Sequence, residues 1–459
     1  MMHKKAIQRE FAEHPSKVGR DEMVAVAGRE ILQRLLAGYS GPVAVRMWNG
    51  ERIHGEADAA CTVVVHHPSV LRHLILHRDL VHLAECYMAG ELDAEGNMES
   101  LFDLIEYANR LQLSARDKWH MLQQAFRLPR QRTAVSLAVP DGKAVQHHNS
   151  RESIAHHYDV SNDFYRLWLD PEMVYSCAYF RNPEYSLAAA QRDKLDYICR
   201  KLRLQPGQQL LDIGCGWGAL AIWAARHYGV HAHGITLSEQ QYRHATERVR
   251  CEGLADRVTI ELRDYRELEG EARYDRIVSV GMFEHIGVAN FPLYFGTVKR
   301  LLRPGGLFLN HGITNDTGWQ DTPITRFMNR YVFPDGELER ISKVQEAMED
   351  AGFEILDVES LRRHYTLTLR HWVRALESHR EEAVAMVGDA TYRLWRLYMA
   401  GCAYYFDEGS TNVYQVLAAP ARQPLPTPLR RDDLYREELP GREFSCPPES
   451  RHMSVAHGL

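Results

Sequence analysis

The chain of 459 residues lacks the features that mark several specialised classes of protein. It contains no run of about 18 apolar residues, so no transmembrane helix is expected. The N-terminal stretch MMHKKAIQREFAEHPSK has basic residues but no apolar core, so no secretory signal is expected. A net charge of −6 lacks the positive excess typical of nucleic-acid-binding proteins, so no nucleic-acid partner is predicted.

Cysteine is also sparse and shows no pattern. The eight cysteines are scattered and include no C-x-x-C pair, so neither a zinc site nor a disulfide framework is expected. Reduced thiols fit a cytoplasmic location. A hydrophobic content of 45% and a charged content of 25% are ordinary for a globular protein with two or three domains.

Three regions are predicted along the chain. Residues 1–145 form a small α+β module, with a hairpin around Asn49-Gly50, a strand in CTVVVHH and helical spacing in LRHLILHRDLVHLAECYMAG. Residues 146–420 alternate strand-like and helix-like runs, which predicts an α/β doubly wound, Rossmann-like sheet. FEILDVES and NVYQVLAA are its last strands, and the helix-rich segment between them is expected to cap the site. Residues 421–459 are rich in proline and are predicted to be disordered.

The segment ARDKWHMLQQAFRLPRQRT closes the first region. Trp119, Leu122 and Phe126 share one face of its predicted helix, and five basic residues are close in sequence, namely Arg116, Lys118, Arg127, Arg130 and Arg132. Such a helix can lie on an anionic membrane surface. It can equally pack its apolar face on a neighbouring domain.

A glycine-rich loop follows the first strand of the second region. In LLDIGCGWGAL, Gly214, Gly216 and Gly218 allow a tight turn and close approach of the backbone to a ligand. Gly214-x-Gly216-x-x-Ala219 also fits a relaxed dinucleotide fingerprint. Two features argue against a nicotinamide cofactor. Asp212 precedes the loop, and the next strand ends in GITLS, without an acid that could bind the ribose hydroxyls. The D-x-G-x-G-x-G pattern resembles motif I of class I S-adenosylmethionine (SAM) methyltransferases.

Six motifs in one order carry a more specific resemblance. They are HYDVSNDFYRLWLDPEMVYSCAYF, LLDIGCGWGALA, GITLSEQQ, RIVSVGMFEHIG, LNHGI and YMAGCAYYF. Together they resemble the cyclopropane-fatty-acid synthase family, which includes the mycolic acid methyltransferases, and the N-terminal region resembles the family's bacterial N-terminal domain. The resemblance implies methyl transfer from SAM to the cis double bond of an unsaturated phospholipid, followed by ring closure. It also implies a cytoplasmic enzyme, peripheral at the inner membrane face, and a homodimer in many members.

The resemblance assigns two sets of site residues. For SAM it implies Tyr175, Ser176, Asp212, Gly214, Gly216, Gly218, Thr236, Leu237, Gln241, Asp264 and Tyr265. For catalysis it implies a bicarbonate ion as the base, held by Glu284, His311, the Ile313 backbone, Tyr365 and Cys402, with Cys177 lining the site. Because a carboxylate and an anion repel each other, Glu284 is expected to be protonated or to share a proton with the bicarbonate.

Each catalytic assignment has a structural alternative. Glu284, at the end of a predicted strand, could cap the next helix. His311 follows an apolar strand and could be a hydrogen-bonded structural residue. Cys402 lies on a predicted helix with an apolar stripe and could be a small buried hydrophobe. Gly312 stands where related chains often have a bulkier residue, which predicts a change in pocket shape.

Aromatic residues are dense near these motifs. Methyl transfer to an alkene leaves a cation-like centre on the acyl chain, which aromatic faces stabilise and which water would trap. The residues concerned are Tyr158, Phe164, Tyr165, Trp168, Tyr175, Tyr179, Phe180 and Phe283. Ordinary core packing is the alternative explanation for many of them.

Three further functions stay open at the level of sequence. Loss of a different proton would leave a methylene or methyl-branched acyl chain. The methyl acceptor could be a small soluble molecule. A non-catalytic SAM-fold module that binds lipid is the third possibility, although such a module has no need of Glu284, His311, Tyr365 and Cys402 together.

Overall fold

The N-terminal part of the protein is a four-stranded sheet with helices around it. The computed structural model describes residues 17–77, 80–130, 161–334 and 336–435. The elements before residue 131 are, in chain order, α1 (Lys17–Leu36), β1 (Val43–Arg46), β2 (Arg52–His54), β3 (Cys61–Val65), α2 (Ser69–His77), α3 (Leu80–Met88), β4 (Leu92–Gly96), α4 (Leu101–Arg110) and α5 (Ala115–Arg127).

The strand order in this sheet is β2-β1-β3-β4. The hairpin predicted around Asn49-Gly50 is confirmed, because β1 and β2 pair antiparallel and Gly50 has a φ of +83°. The predicted strand CTVVVHH is β3, which pairs parallel with β1 and antiparallel with β4. The α+β character predicted for this region is therefore present in residues 17–130.

The second part is an α/β sheet with helices on both faces. Its first elements are α6 (Asn162–Arg166), α7 (Leu187–Lys201), β5 (Gln209–Ile213), α8 (Ala219–Tyr228), β6 (His231–Thr236), α9 (Glu239–Cys251), β7 (Val258–Leu262) and β8 (Tyr274–Val280). The later elements are α10 (Phe291–Leu301), β9 (Leu302–Asn315), α11 (Pro323–Tyr331), α12 (Ile341–Asp350), β10 (Phe353–Ser360), α13 (Arg362–Ser378), α14 (Arg380–Val387), α15 (Asp389–Glu408) and β11 (Thr411–Pro420).

The seven strands are ordered β10-β11-β9-β8-β5-β6-β7. The strands from β9 to β7 are parallel, whereas β11 runs antiparallel to both β9 and β10. The chain builds β6 and β7 on one side of β5 and then β8 and β9 on the other. The strand order therefore reverses between β5 and β8, which is where open α/β sheets bind their ligands. The doubly wound fold predicted from the sequence is confirmed.

Alternating side chains place two hydrophobic cores on the two faces of this sheet. Leu210 and Leu309 belong to the core that includes α8, whereas Leu211 and Phe308 belong to the core that includes α10. Because both faces are covered, the central strands are largely buried, as the pattern of β5 illustrates, in which residues 210–213 are all buried. Neighbouring loops are consequently held on a rigid frame.

Helices α13 and α15 form the cap that the sequence predicted between β10 and β11. Helix α15 also contacts the N-terminal sheet through Arg396, whose guanidinium donates to the carbonyls of Ala94 (2.9 Å) and Gly96 (3.0 Å) and to the carboxylate of Glu377 (2.6 Å). Gly401 lets α15 approach α4, since a Cβ atom there would lie 2.6 Å from the Phe102 ring. The cap is thus fixed between the two sheets.

Helix α5 buries a different face from the one that its aromatic residues suggested. Met121 and Ala125 are buried in the N-terminal core, whereas Trp119 is 63% exposed and Phe126 is 59% exposed. The alternative that this face packs on a neighbouring domain is therefore wrong for Trp119 and Phe126, whereas Leu122 is half-buried. These two aromatic side chains face outward beside several arginines and a lysine.

The chain divides into two compact units, residues 1–426 and residues 427–459. The second unit contains a short helix, α16 (Asp432–Tyr435), and residues 436–459 lie outside the described residues, so disorder of the 421–459 tail stays a prediction. The predicted domain boundary at 145/146 and Arg132 also lie outside the described residues. Within the described ranges, no helix is long and apolar enough to span a bilayer.

Candidate active site

A cavity lies at the carboxyl edge of the large sheet, at the reversal point between β5 and β8. It is lined by the loops that follow β5, β6, β7 and β8 and by the segment that precedes α7. The predicted cofactor residues among its lining are Tyr175, Ser176, Asp212, Gly214, Gly216, Thr236, Leu237, Gln241, Asp264 and Tyr265. The structure therefore brings together, around one cavity, residues that are up to 90 positions apart in the sequence.

Gly218 is the exception among the predicted cofactor residues, because it is not part of the cavity lining. It precedes α8 with a φ of +83°, and a Cβ atom at this position would lie 3.1 Å from the Cβ atom of Ala245. Its glycine is needed for the left-handed backbone and for close packing of α8 against α9. Gly216, by contrast, has a φ of +56° and open space where a Cβ atom would lie. Gly216 thus offers the close backbone approach that a ligand needs.

Two oppositely charged side chains are buried in the cavity wall. Asp212, at the end of β5, is buried, and burial raises the pKa of its carboxyl to about 7. Lys194 on α7 is also buried, and its ammonium donates to the hydroxyl of Ser176 (2.9 Å). Burial lowers the pKa of Lys194 to about 8. Lys194 was not predicted from the sequence, because a lysine in the charged stretch QRDKLDYICRK is typical of an exposed helix face.

The far wall of the cavity comes from the loops after β6 and β7. The hydroxyl of Thr236 donates to the side-chain carbonyl of Gln241 (2.7 Å), which holds both groups at the cavity edge. Asp264 is paired with Arg266, whose guanidinium nitrogens lie 2.9 and 2.6 Å from its carboxylate oxygens. Tyr265 packs edge-on against Tyr294. An acid, a glycine loop, a polar pair and an acid–aromatic pair follow one another along the chain around this cavity, and together they fit an adenosine with an amino-acid chain.

Glu284 lies four residues beyond β8 in a short 3₁₀ turn, Phe283–His285, between the lining residues Met282 and His285 but not itself part of the cavity lining. Its Oε1 atom accepts a hydrogen bond from the backbone N–H of Ile313 (2.8 Å). Its Oε2 atom is buried and has no hydrogen-bond partner within the described part of the chain. Burial raises the pKa of this carboxyl to about 7, although the Ile313 N–H offsets part of the effect. The alternative that Glu284 caps the next helix is wrong, because its carboxylate binds strand β9.

His311 lies on β9, two residues before Ile313. Its Nδ1 atom lies 3.1 Å from the side-chain amide nitrogen of Gln415 on the neighbouring strand β11. Burial keeps the pKa of His311 well below its ordinary value, so the ring is neutral. Gln415 was not predicted from the sequence, because a glutamine inside the apolar strand NVYQVLAA carries no motif.

Tyr365 and Cys402 lie on the cap helices α13 and α15, whereas Cys177 lies in the segment before α7. Tyr365 and Cys402 lie close enough to Tyr398 to raise the pKa of its hydroxyl further above the value set by burial, and burial raises the pKa of the Cys402 thiol to about 12. The Cys177 sulfur lies 3.7 Å from the carbonyl oxygen of Leu361, which also accepts from the Tyr365 N–H (3.0 Å). Burial raises the pKa of Cys177 as well. Both cysteines remain thiols at neutral pH, which does not suit a covalent nucleophile.

The predicted aromatic residues divide between the cap and other cores. Tyr165, Trp168 and Tyr175 contact one another and the cap residues Trp372 and Trp395, with the centroids of contacting rings at most 6.2 Å apart. Since Tyr175 also lines the cavity, this cluster is continuous with the site.

The remaining predicted aromatic residues have structural partners. Phe283 packs on Phe291, and its ring occupies the space over Gly312, where a Cβ atom would lie 1.9 Å away. Tyr179 stacks on His364, and Phe180 stacks on His371. Phe164 contacts Trp395 at the base of the cluster. Tyr158 lies outside the described residues.

Comparisons with known proteins agree with this geometry. Residues 145–416 match the family described as mycolic acid cyclopropane synthetase, and residues 30–117 match a domain of unknown function (DUF7884). A "probable fatty acid methyltransferase" of Pseudomonas putida is 40% identical over 403 residues, which cover 86% of this chain and 96% of that protein. The cyclopropane-fatty-acyl-phospholipid synthase of Escherichia coli strain K12 is 40% identical over 261 residues, or 57% of this chain and 66% of that protein.

The solved structure of the mycolic acid cyclopropane synthase CmaA1 with SAH and CTAB superposes with a TM-score of 0.55 at 36% identity. It covers 58% of this chain and 97% of that one. The resemblance inferred from the six motifs is therefore confirmed. The chain belongs to the mycolic acid cyclopropane synthetase family of SAM-dependent lipid methyltransferases.

Proposed function

We propose that the protein is a cyclopropane-fatty-acyl-phospholipid synthase, which adds a methylene bridge from SAM to the cis double bond of an unsaturated phospholipid acyl chain. The observation that carries the proposal is Glu284. Its carboxyl is buried at the end of β8, one oxygen is anchored by the Ile313 N–H, and the other has no partner among the described residues. With a pKa of about 7, this carboxyl can hold or share a proton at neutral pH.

The residues around the cavity support the first step. SAM, when bound, supplies an electrophilic methyl group. Attack by the alkene leaves positive charge on the acyl chain, and the aromatic faces of Tyr175 and its neighbours in the cap stabilise such charge. Trp168, Trp372 and Trp395 pack closely around Tyr175, which excludes the water that would trap the cation.

Ring closure requires a base that removes a proton from the transferred methyl group. We assign to Glu284, His311, Tyr365 and Cys402 the holding of a bicarbonate ion, which when bound would supply this base. The partnerless Oε2 atom of Glu284 supports the assignment, because a protonated carboxyl can donate to an anion. The Ile313 N–H donates to Glu284, so it acts by orienting that carboxyl. Cys177 follows the lining residues Tyr175 and Ser176 but is not itself part of the described cavity lining, so its place in the site stays a prediction.

The acyl chain of a phospholipid lies in a bilayer, so the enzyme needs a surface that contacts the membrane. Helix α5 supports this role, because it exposes Trp119 and Phe126 beside Arg116, Lys118 and Arg127. Aromatic residues with neighbouring basic residues favour the interface of an anionic membrane. We therefore assign α5 to peripheral contact with the cytoplasmic face of the membrane. A homodimer would present two such helices to one surface.

A second candidate product is a methyl-branched or methylene acyl chain. The comparison that favours it is the Pseudomonas putida protein named as a fatty acid methyltransferase, which matches 86% of this chain, whereas the Escherichia coli synthase matches 57%. The same acyl cation can give each product. Loss of a proton from the transferred methyl with bond formation to the cationic carbon closes the ring, whereas loss of a methyl proton after a 1,2-hydride shift leaves a methylene group, and loss of a chain proton leaves a methyl-branched alkene.

The proposal is tested by incubating the full chain with SAM and vesicles of cis-unsaturated phospholipid, with and without added bicarbonate. The released fatty acids are analysed by gas chromatography and mass spectrometry. A product that gains one CH2 and survives mild hydrogenation supports cyclopropanation. A product that is reduced to a branched chain supports the second candidate. Absence of any lipid product, while SAM still binds, would contradict both and favour a soluble acceptor or a non-catalytic role.

A further inference from the structure

Lys194 is a buried charge that the proposed chemistry does not use. It lies in the middle of α7, is 2% exposed, and lines the same cavity as Asp212, which is also 2% exposed. Its ammonium donates to Ser176, another lining residue, at 2.9 Å. Within the described part of the chain, no carboxylate lies within 4.0 Å of the Lys194 ammonium.

Lys201, on the same helix, shows how the fold compensates a buried lysine. It is 0% exposed, and its ammonium is paired with Glu359 and lies 3.7 Å from Asp357. The carboxylates that influence the pKa of Lys194 are those of Asp170 and Asp212, and neither forms an ion pair with it. Asp170 accepts the backbone N–H groups of Glu172 and Val174, both at 2.9 Å. Burying an ammonium beside a single hydroxyl is unfavourable. Lys194 therefore needs an anionic partner, and the described part of the chain does not supply one.

Asp212 is a buried ionisable group of the opposite charge. It is an acid at the end of β5, buried in the cavity wall, and burial raises its pKa to about 7 whereas the charge of Lys194 lowers it. The pKa of Lys194 is lowered to about 8 by burial and raised by Asp170 and Asp212. The two groups influence each other across the cavity without forming an ion pair. A ligand that carries one positive and one negative group on a single carbon would satisfy both.

We propose that Lys194 is the recognition residue for the α-carboxylate of the cofactor's amino-acid end, with Ser176 beside it, and that Asp212 receives the α-ammonium. This inference rests on the cofactor part of the proposed function and extends it to a residue without a motif. It makes the cavity selective for adenosine derivatives that carry an intact α-amino acid. Adenosine derivatives without that group leave both buried charges uncompensated.

The test measures binding by calorimetry, with the full chain and no lipid. The probes are SAH, which has the amino acid, and 5′-methylthioadenosine, which lacks it. In Lys194→Met, SAH affinity is expected to fall by roughly 10- to 100-fold, whereas the affinity for 5′-methylthioadenosine changes by less than about threefold. Lys201→Met is the matched control, because it removes a buried lysine of the same helix whose partners are protein carboxylates. Any effect of this control is expected to be equal for the two probes.

A comparison without any variant guards against misfolding of Lys194→Met. The unmodified chain is expected to bind decarboxylated SAM, which lacks only the carboxylate, at least roughly tenfold more weakly than SAM. Equal affinities for these two ligands, or equal losses for SAH and 5′-methylthioadenosine in Lys194→Met, would overturn the inference. Because lipid is absent, these results do not depend on which acyl product forms. Failure of the unmodified chain to bind SAH would overturn the proposed function as well.

Discussion

The Nδ1 atom of His311 lies 3.1 Å from the side-chain amide nitrogen of Gln415, and both residues are buried on neighbouring strands. Because the amide N–H donates and the neutral ring accepts at Nδ1, the ring carries its hydrogen on Nε2. His311 is therefore a fixed neutral donor. This is the form that can donate a hydrogen bond to an anion beside Glu284.

Replacing Gln415 should change the reaction through His311. In Gln415→Leu, turnover on phospholipid vesicles is expected to fall by about 10- to 100-fold, because the ring loses the donor that selects its tautomer. In Gln415→Glu, the carboxylate favours the protonated ring, so the pH profile of turnover should gain a new limb. The KM for SAM should be unchanged in both. An unchanged pH profile in Gln415→Glu would argue for a purely structural role.

Glu284 predicts a stability effect with a defined sign. The carboxyl ionises near pH 4.5 when unperturbed but near 7 in the folded chain. Its ionisation therefore opposes folding above pH 7, and this cost fades as the pH falls through 7 towards 4.5. Glu284→Gln removes the charge while its amide oxygen can still accept from Ile313. The variant should gain up to about 3 kcal/mol at pH 8, as an upper bound, and almost nothing at pH 4.5, while losing activity.

Thermal unfolding of the two proteins at pH 8 and pH 5 measures this difference. A higher Tm of Glu284→Gln at pH 8, with a smaller gain at pH 5, is the expected pattern. A Tm difference between the two proteins that is the same at pH 8 and pH 5, or that favours the unmodified chain more at pH 8, would show that ionisation of Glu284 does not oppose folding. That result would remove the argument that Glu284 holds a proton at neutral pH.

Gly216 and Gly218 should respond differently to replacement by alanine. Gly218→Ala is expected to lower the free energy of unfolding by about 1–3 kcal/mol, because its φ is +83° and the new Cβ atom would lie 3.1 Å from Ala245. Gly216→Ala has open space around the new atom, so its cost is nearer to about 1 kcal/mol. Only Gly216 lines the cavity, so only Gly216→Ala should weaken SAH binding beyond its effect on stability. Calorimetric SAH affinity and Tm are measured for both variants.

The exposed face of α5 predicts where the protein contacts lipid. A double variant, Trp119→Ser with Phe126→Ser, should bind vesicles that contain anionic phospholipid roughly tenfold or more weakly, and binding of the unmodified chain should weaken at high salt. Met386→Ser is a suitable control, because Met386 is a large exposed side chain (48%) on α14. Sedimentation with vesicles measures all three proteins. Equal binding by the double variant and the unmodified chain would exclude α5 as the contact.

The sequence predicted site residues correctly where their position follows from the ends of parallel strands. Asp212 and Thr236 end parallel strands, and the carboxyl ends of such strands meet at one edge of the sheet, so their convergence followed from the α/β pattern. Gly218 looked like Gly216 in the motif, yet only packing against Ala245 distinguishes a helix-packing glycine from one that faces the cavity. A glycine's neighbours in space cannot be obtained from its neighbours in sequence.

Lys194 and Gln415 illustrate what the sequence could not provide. A lysine in a charged helix and a glutamine in a strand are each common at surfaces, and burial was decided by elements far away in the chain. The exposure of Trp119 was also not predicted, because helical periodicity identifies an apolar face but not whether a neighbouring element covers it. Long-range packing, and not local propensity, determined these three outcomes.

The most direct test of the central claim uses SAM with a trideuterated methyl group and vesicles of cis-unsaturated phospholipid. If a base at the Glu284 site removes a proton from the transferred methyl, the product fatty acid should retain two deuterium atoms and should survive hydrogenation as a cyclopropane. Retention of all three deuterium atoms would contradict the account, because no proton would then have been taken from that methyl group.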